Sequence, residues 1–334
     1  MTLSDGKLRH MEALSNKNGV IAAAAMDQRG SLQKSIAAAR GIDKNAVTPD
    51  MMSEFKVAVS KVLTPHASAI LLDPEFGLPA AAARDKNAGL LLAYEESGYD
   101  NTKPGRLPDL LPHVSARRIV DWGADAVKIL IYYSPFDSAD VNDIKHAFIE
   151  RIGAECESCD IPFFLEFVGY DPQGGDEKGI EYAKRKPDVV IGSMKEFSKP
   201  QYKVDVLKVE VPINAEYVEG SSVYKGQKAY SMEEAKSLFR KAADMAMKPF
   251  IYLSAGVGNA QFIESLRMAV ESGTDFSGVL CGRATWKEGI PVYAKQGVKA
   301  LEDWLNTEGV KNIDAVNQAI RAAKPWKTKL AAKA

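Results

Sequence analysis

Cysteine is scarce, with only Cys156, Cys159 and Cys281 in a chain of 334 residues. An odd, sparse set does not build a disulfide framework. Cys156-Glu157-Ser158-Cys159 has C-x-x-C spacing, but it follows a helical stretch instead of opening one, so it lacks the helix N-terminus that lowers a thiol pKa. The pair is read as structural. Histidine is equally thin: His10, His66, His113 and His146 are scattered through helical or flanking segments, and zinc would need a second pair of ligands near the cysteines. No metal is expected. Long apolar runs are missing too, since no stretch approaches the roughly 18 apolar residues that would span a bilayer. Residues 1–19 mix Asp5, Lys7, Arg9, Glu12 and Lys17, which does not read as a secretory signal. Nor is either charge in excess: 43 Lys and Arg against 44 Asp and Glu leave a net charge of -1. That provides no electrostatic footprint for nucleic acid or an anionic membrane, although a local anion site stays open. The expectation is a cytoplasmic protein with neither nucleic-acid nor membrane partners.

What is present is material for a large core, with 46% hydrophobic and 26% charged residues. Eight short apolar runs, each bounded by turn residues, read as strands: Gly19–Ala25, Ser68–Leu72, Gly89–Tyr94, Ala124–Tyr132, Pro162–Val168, Val204–Val211, Pro249–Ser254 and Phe276–Cys281. Between them lie helical patterns, including Pro49–Leu63, Leu110–Asp121, Val141–Glu157, Met232–Met247, Ala260–Ser272 and Pro291–Asn306. Ser231 with Glu234 has capping-box spacing, and Pro49 and Pro291 suit a first helical turn. Alternation without a linker predicts a single (β/α)8 TIM barrel with additional terminal helices. Within this one domain an N-terminal helix covers about 1–18, the barrel about 19–306 and a helical extension about 307–334.

Successive side chains on a strand point to opposite faces, so alternation predicts what faces the barrel centre. With Val127, Ile129 and Ile131 facing out, Lys128 points in; with Phe163, Leu165 and Phe167 out, Glu166 points in; and Leu207, Val209 and Val211 leave Lys208 and Glu210 inside. Neighbouring strands are about 4.8 Å apart, so Lys128, Glu166 and Lys208 come within roughly 5–10 Å of each other. One reading is a buried ion pair, or a lysine that snorkels to the barrel mouth. The other is chemical. Two lysines beside one carboxylate leave an uncompensated positive charge, and desolvation with a neighbouring cation lowers a lysine pKa. An ordinary lysine is neutral in roughly one molecule in 2,000 at pH 7, and only the neutral amine attacks a carbonyl.

Two strand ends suit an anion. Ser254-Ala255-Gly256-Val257-Gly258-Asn259 precedes a helical pattern, and Cys281-Gly282-Arg283-Ala284-Thr285 adds a cation to another tight turn. Small residues let backbone N–H groups approach phosphate oxygens, and the loops after strands seven and eight are the usual phosphate position in this fold. Gln261 occupies the third-glycine position of G-x-G-x-x-G, so a nicotinamide cofactor is not expected. At the end of strand one, Ala25-Met26-Asp27-Gln28-Arg29-Gly30 puts an acid, an amide and a base at the same mouth. Asp27 either binds a substrate hydroxyl, orients Lys208, or is a turn acid paired with Arg29.

The first-strand motif, together with Leu71-Leu72-Asp73-Pro74-Glu75-Phe76-Gly77, Leu91-Leu92-Ala93-Tyr94-Glu95 and Val206-Leu207-Lys208-Val209-Glu210-Val211-Pro212, resembles class I tagatose 1,6-bisphosphate aldolases. Leu253-Ser254-Ala255-Gly256-Val257 and Gly278–Trp286 extend the resemblance over nearly the whole chain. It implies that Lys208 forms the Schiff base, that Glu166 is the general acid/base and that Lys128 is the fourth-strand lysine of the site. Asp27 and Gln28 match the first-strand motif; Ser254, Gly256, Gly282 and Arg283 match the segments holding the ketose-end phosphate. The implied reaction is reversible cleavage of a ketohexose bisphosphate, tagatose 1,6-bisphosphate foremost, to dihydroxyacetone phosphate and glyceraldehyde 3-phosphate, without metal or other cofactor. A homo-oligomer, a dimer, is also implied. The segment Gly169-Tyr170-Asp171-Pro172-Gln173-Gly174-Gly175-Asp176 departs from the family pattern and bears on the distal end of the substrate. Fructose bisphosphate, a sulfonated ketose or a transaldolase use of the same lysine are therefore alternatives, and a regulatory phosphosugar-binding barrel is a remote one.

Overall fold

The computed structural model describes residues 3–100 and 102–331; Met1, Thr2 and residues 332–334 of the expected terminal helices lie outside that range. Every one of the eight apolar runs becomes a barrel strand: β1 (Ile21–Met26), β2 (Ala69–Leu72), β3 (Gly89–Ala93), β4 (Ala126–Tyr132), β5 (Phe163–Val168), β6 (Val206–Val209), β7 (Phe250–Leu253) and β8 (Gly278–Cys281). All pair in parallel and close in the order β1-β8-β7-β6-β5-β4-β3-β2. This is the (β/α)8 barrel expected from the alternation. Outside it, Val218–Glu219 and Tyr230–Ser231 pair as a short two-stranded ribbon. Among the described residues no helix is long and apolar enough to cross a membrane.

Local signals explain most helix boundaries. Thr48 accepts from the Met51 N–H ahead of Pro49–Leu63, and Ser231 and Glu234 form the reciprocal capping box of Met232–Met245. The expected helix from Leu110 begins only at Ala116. Leu110 is held in an antiparallel bridge to Glu95, Pro112 disfavours helical backbone at the residue before it, and Ser115 supplies the cap by accepting from Arg118 N–H. Gly30–Arg40 and Ile180–Phe197 are further helices, the latter carrying Pro187 internally. The helix Gly289–Trp304 passes through a π turn at Leu305–Gly309 into Val310–Ala319.

Alternation along the strands separates two apolar layers. Val127, Ile129, Leu165, Phe167, Leu207 and Val209 face the helices, as read from the sequence. Ile21, Ala23 and Ala25 of β1 join Leu71, Phe164 and Ile251 in a smaller cluster that fills the barrel. Met11, Leu14 and Trp326 belong to that inner cluster, so both termini plug the end of the barrel opposite the strand C-termini. Each such fully buried side chain contributes about 1.5–3 kcal/mol relative to exposure. The alanines of β1 matter for another reason, since their small volume leaves room inside for charged stems from β4 and β6.

Cys156 lies within Ala139–Ser158 and Cys159 at its C-cap; burial pushes the Cys156 thiol up, away from reactivity.

Candidate functional site

At the C-terminal mouth of the barrel opens a cavity of about 1180 Å³, whose lining includes Asp27, Glu95, Lys128, Glu166, Lys208 and Arg283. Register places Glu166 and Lys208 side by side, as direct partners on β5 and β6. Lys208 Nζ donates to Glu166 Oε2 at 2.8 Å. The same pairing rules separate the two lysines in depth. Lys128 sits beside Phe164, and Leu130 beside Glu166, so Lys128 starts one inward layer below the other two. Its stem climbs to the carboxylates and is wholly buried; Lys208 is buried too, and both lysines line the cavity.

The expected excess of positive charge is not there. Lys128 Nζ lies 2.7 Å from Asp27 Oδ2, 2.8 Å from Glu95 Oε1 and 2.9 Å from Glu166 Oε2. Three carboxylates therefore surround one ammonium, which donates to Asp27 and Glu95 and is ion-paired with Glu166. Burial alone would lower the Lys128 pKa, but the fields of Asp27, Glu166 and Glu95 outweigh it and hold it well above its ordinary value. Burial would likewise raise Asp27, yet Lys128 and Lys208 keep its carboxyl below the usual range. At Glu95 the balance reverses: burial dominates over Lys128 and Arg29, and the carboxyl is raised. Lys128 is thus a fixed cation. Lys208 has a single carboxylate partner among the described residues, Glu166.

The end of β1 is positioned from beneath. Lys56, fully buried, donates to Met26 O at 2.7 Å and Gln28 O at 2.8 Å and pairs with Asp73, so the carbonyls flanking Asp27 are held on both sides. Asp27 does not pair with Arg29; Arg29 turns away to Glu75 at 2.7 Å and to the Glu95 carbonyl at 2.8 Å. Nor does Asp27 bond Lys208, since Lys128 takes it. Glu95, Lys56 and Asp73 were not singled out from the sequence as site residues. Glu95 and Asp73 stand in strand-end motifs, which is a visible signal, but Lys56 is on a helix and nothing local marks it.

The anion loops also meet. Ser254 follows β7, Gly282 precedes the short helix Arg283–Trp286, and the Arg283 guanidinium lies against Gly256. Gly256 has φ of 76°, and a Cβ there would fall 2.7 Å from Arg283 Cζ. Gln28 Nε2 reaches toward Gly282 from the β1 side. Every residue proposed from the sequence for the site therefore lines this one mouth. We expect Gly256→Ala to displace Arg283 and raise KM for a phosphorylated ketose about 10-fold or more, the scale of one charge-assisted hydrogen bond. Unaltered KM in steady-state assays would show that Arg283 does not hold the phosphate. The segment after β5 is latched over the same mouth, with Arg106 paired to Glu177 at 2.6 Å and packed on the rings of Tyr99, Tyr132 and Tyr170.

The chain is 52% identical over 328 residues to the tagatose 1,6-diphosphate aldolase of Listeria monocytogenes serotype 4a (strain HCC23), covering 98% of this chain and 95% of that one. It is 53% identical to tagatose 1,6-diphosphate aldolase 2 of Enterococcus faecalis (strain ATCC 700802 / V583), covering 99% and 98%. Among solved structures, a Schiff base forming fructose-1,6-bisphosphate aldolase superposes with a TM-score of 0.54 at 13% identity, covering 90% of this chain and 99% of that one, a likeness of fold. The family model for DeoC/LacD family aldolases matches residues 21–288, from the first barrel strand past the last, and the chain belongs to that family.

Proposed function

We propose that this aldolase cleaves tagatose 1,6-bisphosphate reversibly to dihydroxyacetone phosphate and glyceraldehyde 3-phosphate, through a Schiff base on Lys208 and without a metal. The observation that carries the reading is the contrast between the two lysines of the cavity: Lys128 is ringed by three carboxylates, and Lys208 is bonded to one.

Lys208 passes a proton to Glu166, and its neutral Nζ attacks the C2 carbonyl to give a carbinolamine. Glu166 returns a proton to the departing hydroxyl, which leaves as water, and an iminium remains. The C3–C4 bonding pair then flows into the iminium while Glu166 takes the C4 hydroxyl proton; glyceraldehyde 3-phosphate departs and an enamine is left. Protonation at C3 and addition of water release dihydroxyacetone phosphate and regenerate the amine. Lys128 keeps Glu166 oriented and lowers the cost of its charge in the dry site. Asp27 and Gln28 bind substrate hydroxyls, and Ser254, Gly256, Gly282 and Arg283 hold the C1 phosphate. The relatives' names support tagatose over the fructose epimer and over a sulfonated ketose.

Borohydride reduction in the presence of dihydroxyacetone phosphate tests this directly. Intact mass and peptide mapping are expected to place one adduct on Lys208; an adduct on another lysine, or none in protein that binds the ligand, would overturn the mechanism.

A further inference from the structure

Glu95 has one oxygen on Lys128 and one oxygen on nothing. Its side chain is 5% exposed, and Oε2 is buried with no hydrogen-bond partner. A buried polar atom left unpaired is costly, so an atom of this kind on a residue that lines a binding cavity marks a place where a ligand completes the pairing. Two further unpaired buried atoms, Gln28 Oε1 and Arg29 Nε, belong to cavity-lining residues of the neighbouring β1 end.

The barrel order says which part of the substrate arrives there. The phosphate loops follow β7 and β8, Lys208 is on β6, and β3, which leads into Glu95, stands diametrically across from β7 in the eight-strand ring. A ketose anchored by its C1 phosphate at β7 and β8, with C2 on Lys208, must send its remaining carbons away from those strands and across the axis toward β3. What reaches Glu95 is the half of the chain that becomes the aldehyde.

We propose that Glu95 is a specificity-determining residue of this reaction, a carboxylic acid whose Oε2–H donates to an oxygen of the aldehyde-derived half, at C4 or C5, while Oε1 accepts from Lys128. The inference rests on the aldolase reading above. Charge balance supports the protonated form. When Lys208 is the neutral amine that the chemistry requires, three carboxylates face Lys128 and, 3.9 Å from Glu95 Oε1, Arg29, and a proton on one of them relieves the imbalance. Glu95 is the member of the trio whose burial outweighs its cations.

The test separates the two halves of the substrate. Exchange of the C3 proton of dihydroxyacetone phosphate with solvent uses Lys208 and the phosphate loops but not the aldehyde half, whereas cleavage of tagatose 1,6-bisphosphate uses both. In Glu95→Ala the ratio of cleavage kcat/KM to exchange rate is expected to fall about 10- to 100-fold, the scale of a lost buried hydrogen bond. Glu95→Gln should recover most of that ratio, because its amide N–H donates where the carboxyl O–H did and its carbonyl still accepts from Lys128. Glu95→Gln as impaired as Glu95→Ala would overturn the proposal in favour of a required negative charge. Exchange and cleavage falling together in both variants would also overturn it, assigning Glu95 to the positioning of Lys128 alone. Wild-type protein that neither exchanges nor cleaves would instead overturn the aldolase reading on which this rests.

Discussion

Lys208→Met is expected to lower ketose bisphosphate cleavage by at least about 10⁴-fold, because removing a covalent nucleophile leaves only binding and electrostatic contributions. The protein should still fold. Glu166 loses one partner at 2.8 Å but keeps Lys128 at 2.9 Å, so no buried carboxylate is stranded. The methionine stem fills most of the space of the lysine stem, and ligand should still bind through the loops of β7 and β8. The decisive pair of measurements is single-turnover cleavage and binding of dihydroxyacetone phosphate by calorimetry. Retained binding with lost turnover isolates the covalent role; turnover above about one-hundredth of wild type, in protein free of contaminating aldolase, would remove Lys208 as the nucleophile.

Lys128→Met should do the opposite kind of damage. It removes the ammonium from Asp27 and from the buried Glu95, while Glu166 keeps only Lys208 at 2.8 Å. Breaking a buried ion cluster by removing one partner costs about 3–5 kcal/mol, since the remaining charges are left uncompensated. Urea unfolding at neutral pH should show a loss of that size together with lost activity. The sign of the pH dependence follows from the shifts. Asp27 is held below its ordinary 3.8, so the stability it contributes is fully present above that value and is lost as the pH falls toward the depressed one. Lys128 is raised above 10.5, so its contribution is fully present below 10.5 and is lost as the pH rises through the folded value. Both are intact at neutrality, where the variant's deficit is greatest. The deficit should shrink as the pH falls toward about 4, because the variant's carboxyls then take up protons. A loss under about 1 kcal/mol at pH 7 would mean that water or proton uptake replaces the lysine without difficulty.

Much of this was legible in the linear chain. Strand position and inward face follow from a period of two, and both are local: Val127, Ile129 and Ile131 had to face the helices once Lys128 faced in. The placement of the Ser254–Gly256 and Gly282–Arg283 turns at the cavity was legible because both follow directly on barrel strands. Helix starts failed where a tertiary contact intervened, as at Leu110, which a bridge to Glu95 keeps out of the helix until Ala116.

What the alternation pattern does not contain is height. A period of two assigns a face, but how far a side chain stands along the barrel axis depends on the register with the neighbouring strand, and that is set by closure of the whole ring. Register put Lys128 one layer below Glu166 and Lys208, and so decided which lysine stands among three carboxylates and which bonds one. Closure also brought Asp27 from β1 and Glu95 from β3 onto Lys128, which turned an expected surplus of positive charge into three carboxylates around one ammonium. Composition and periodicity determined the barrel, its inward residues and the glycine loops at its mouth. The sign and sharing of the buried charge were decided only by the tertiary structure, because electrostatic coupling depends on distances between residues such as Asp27 and Lys128 that lie far apart in sequence.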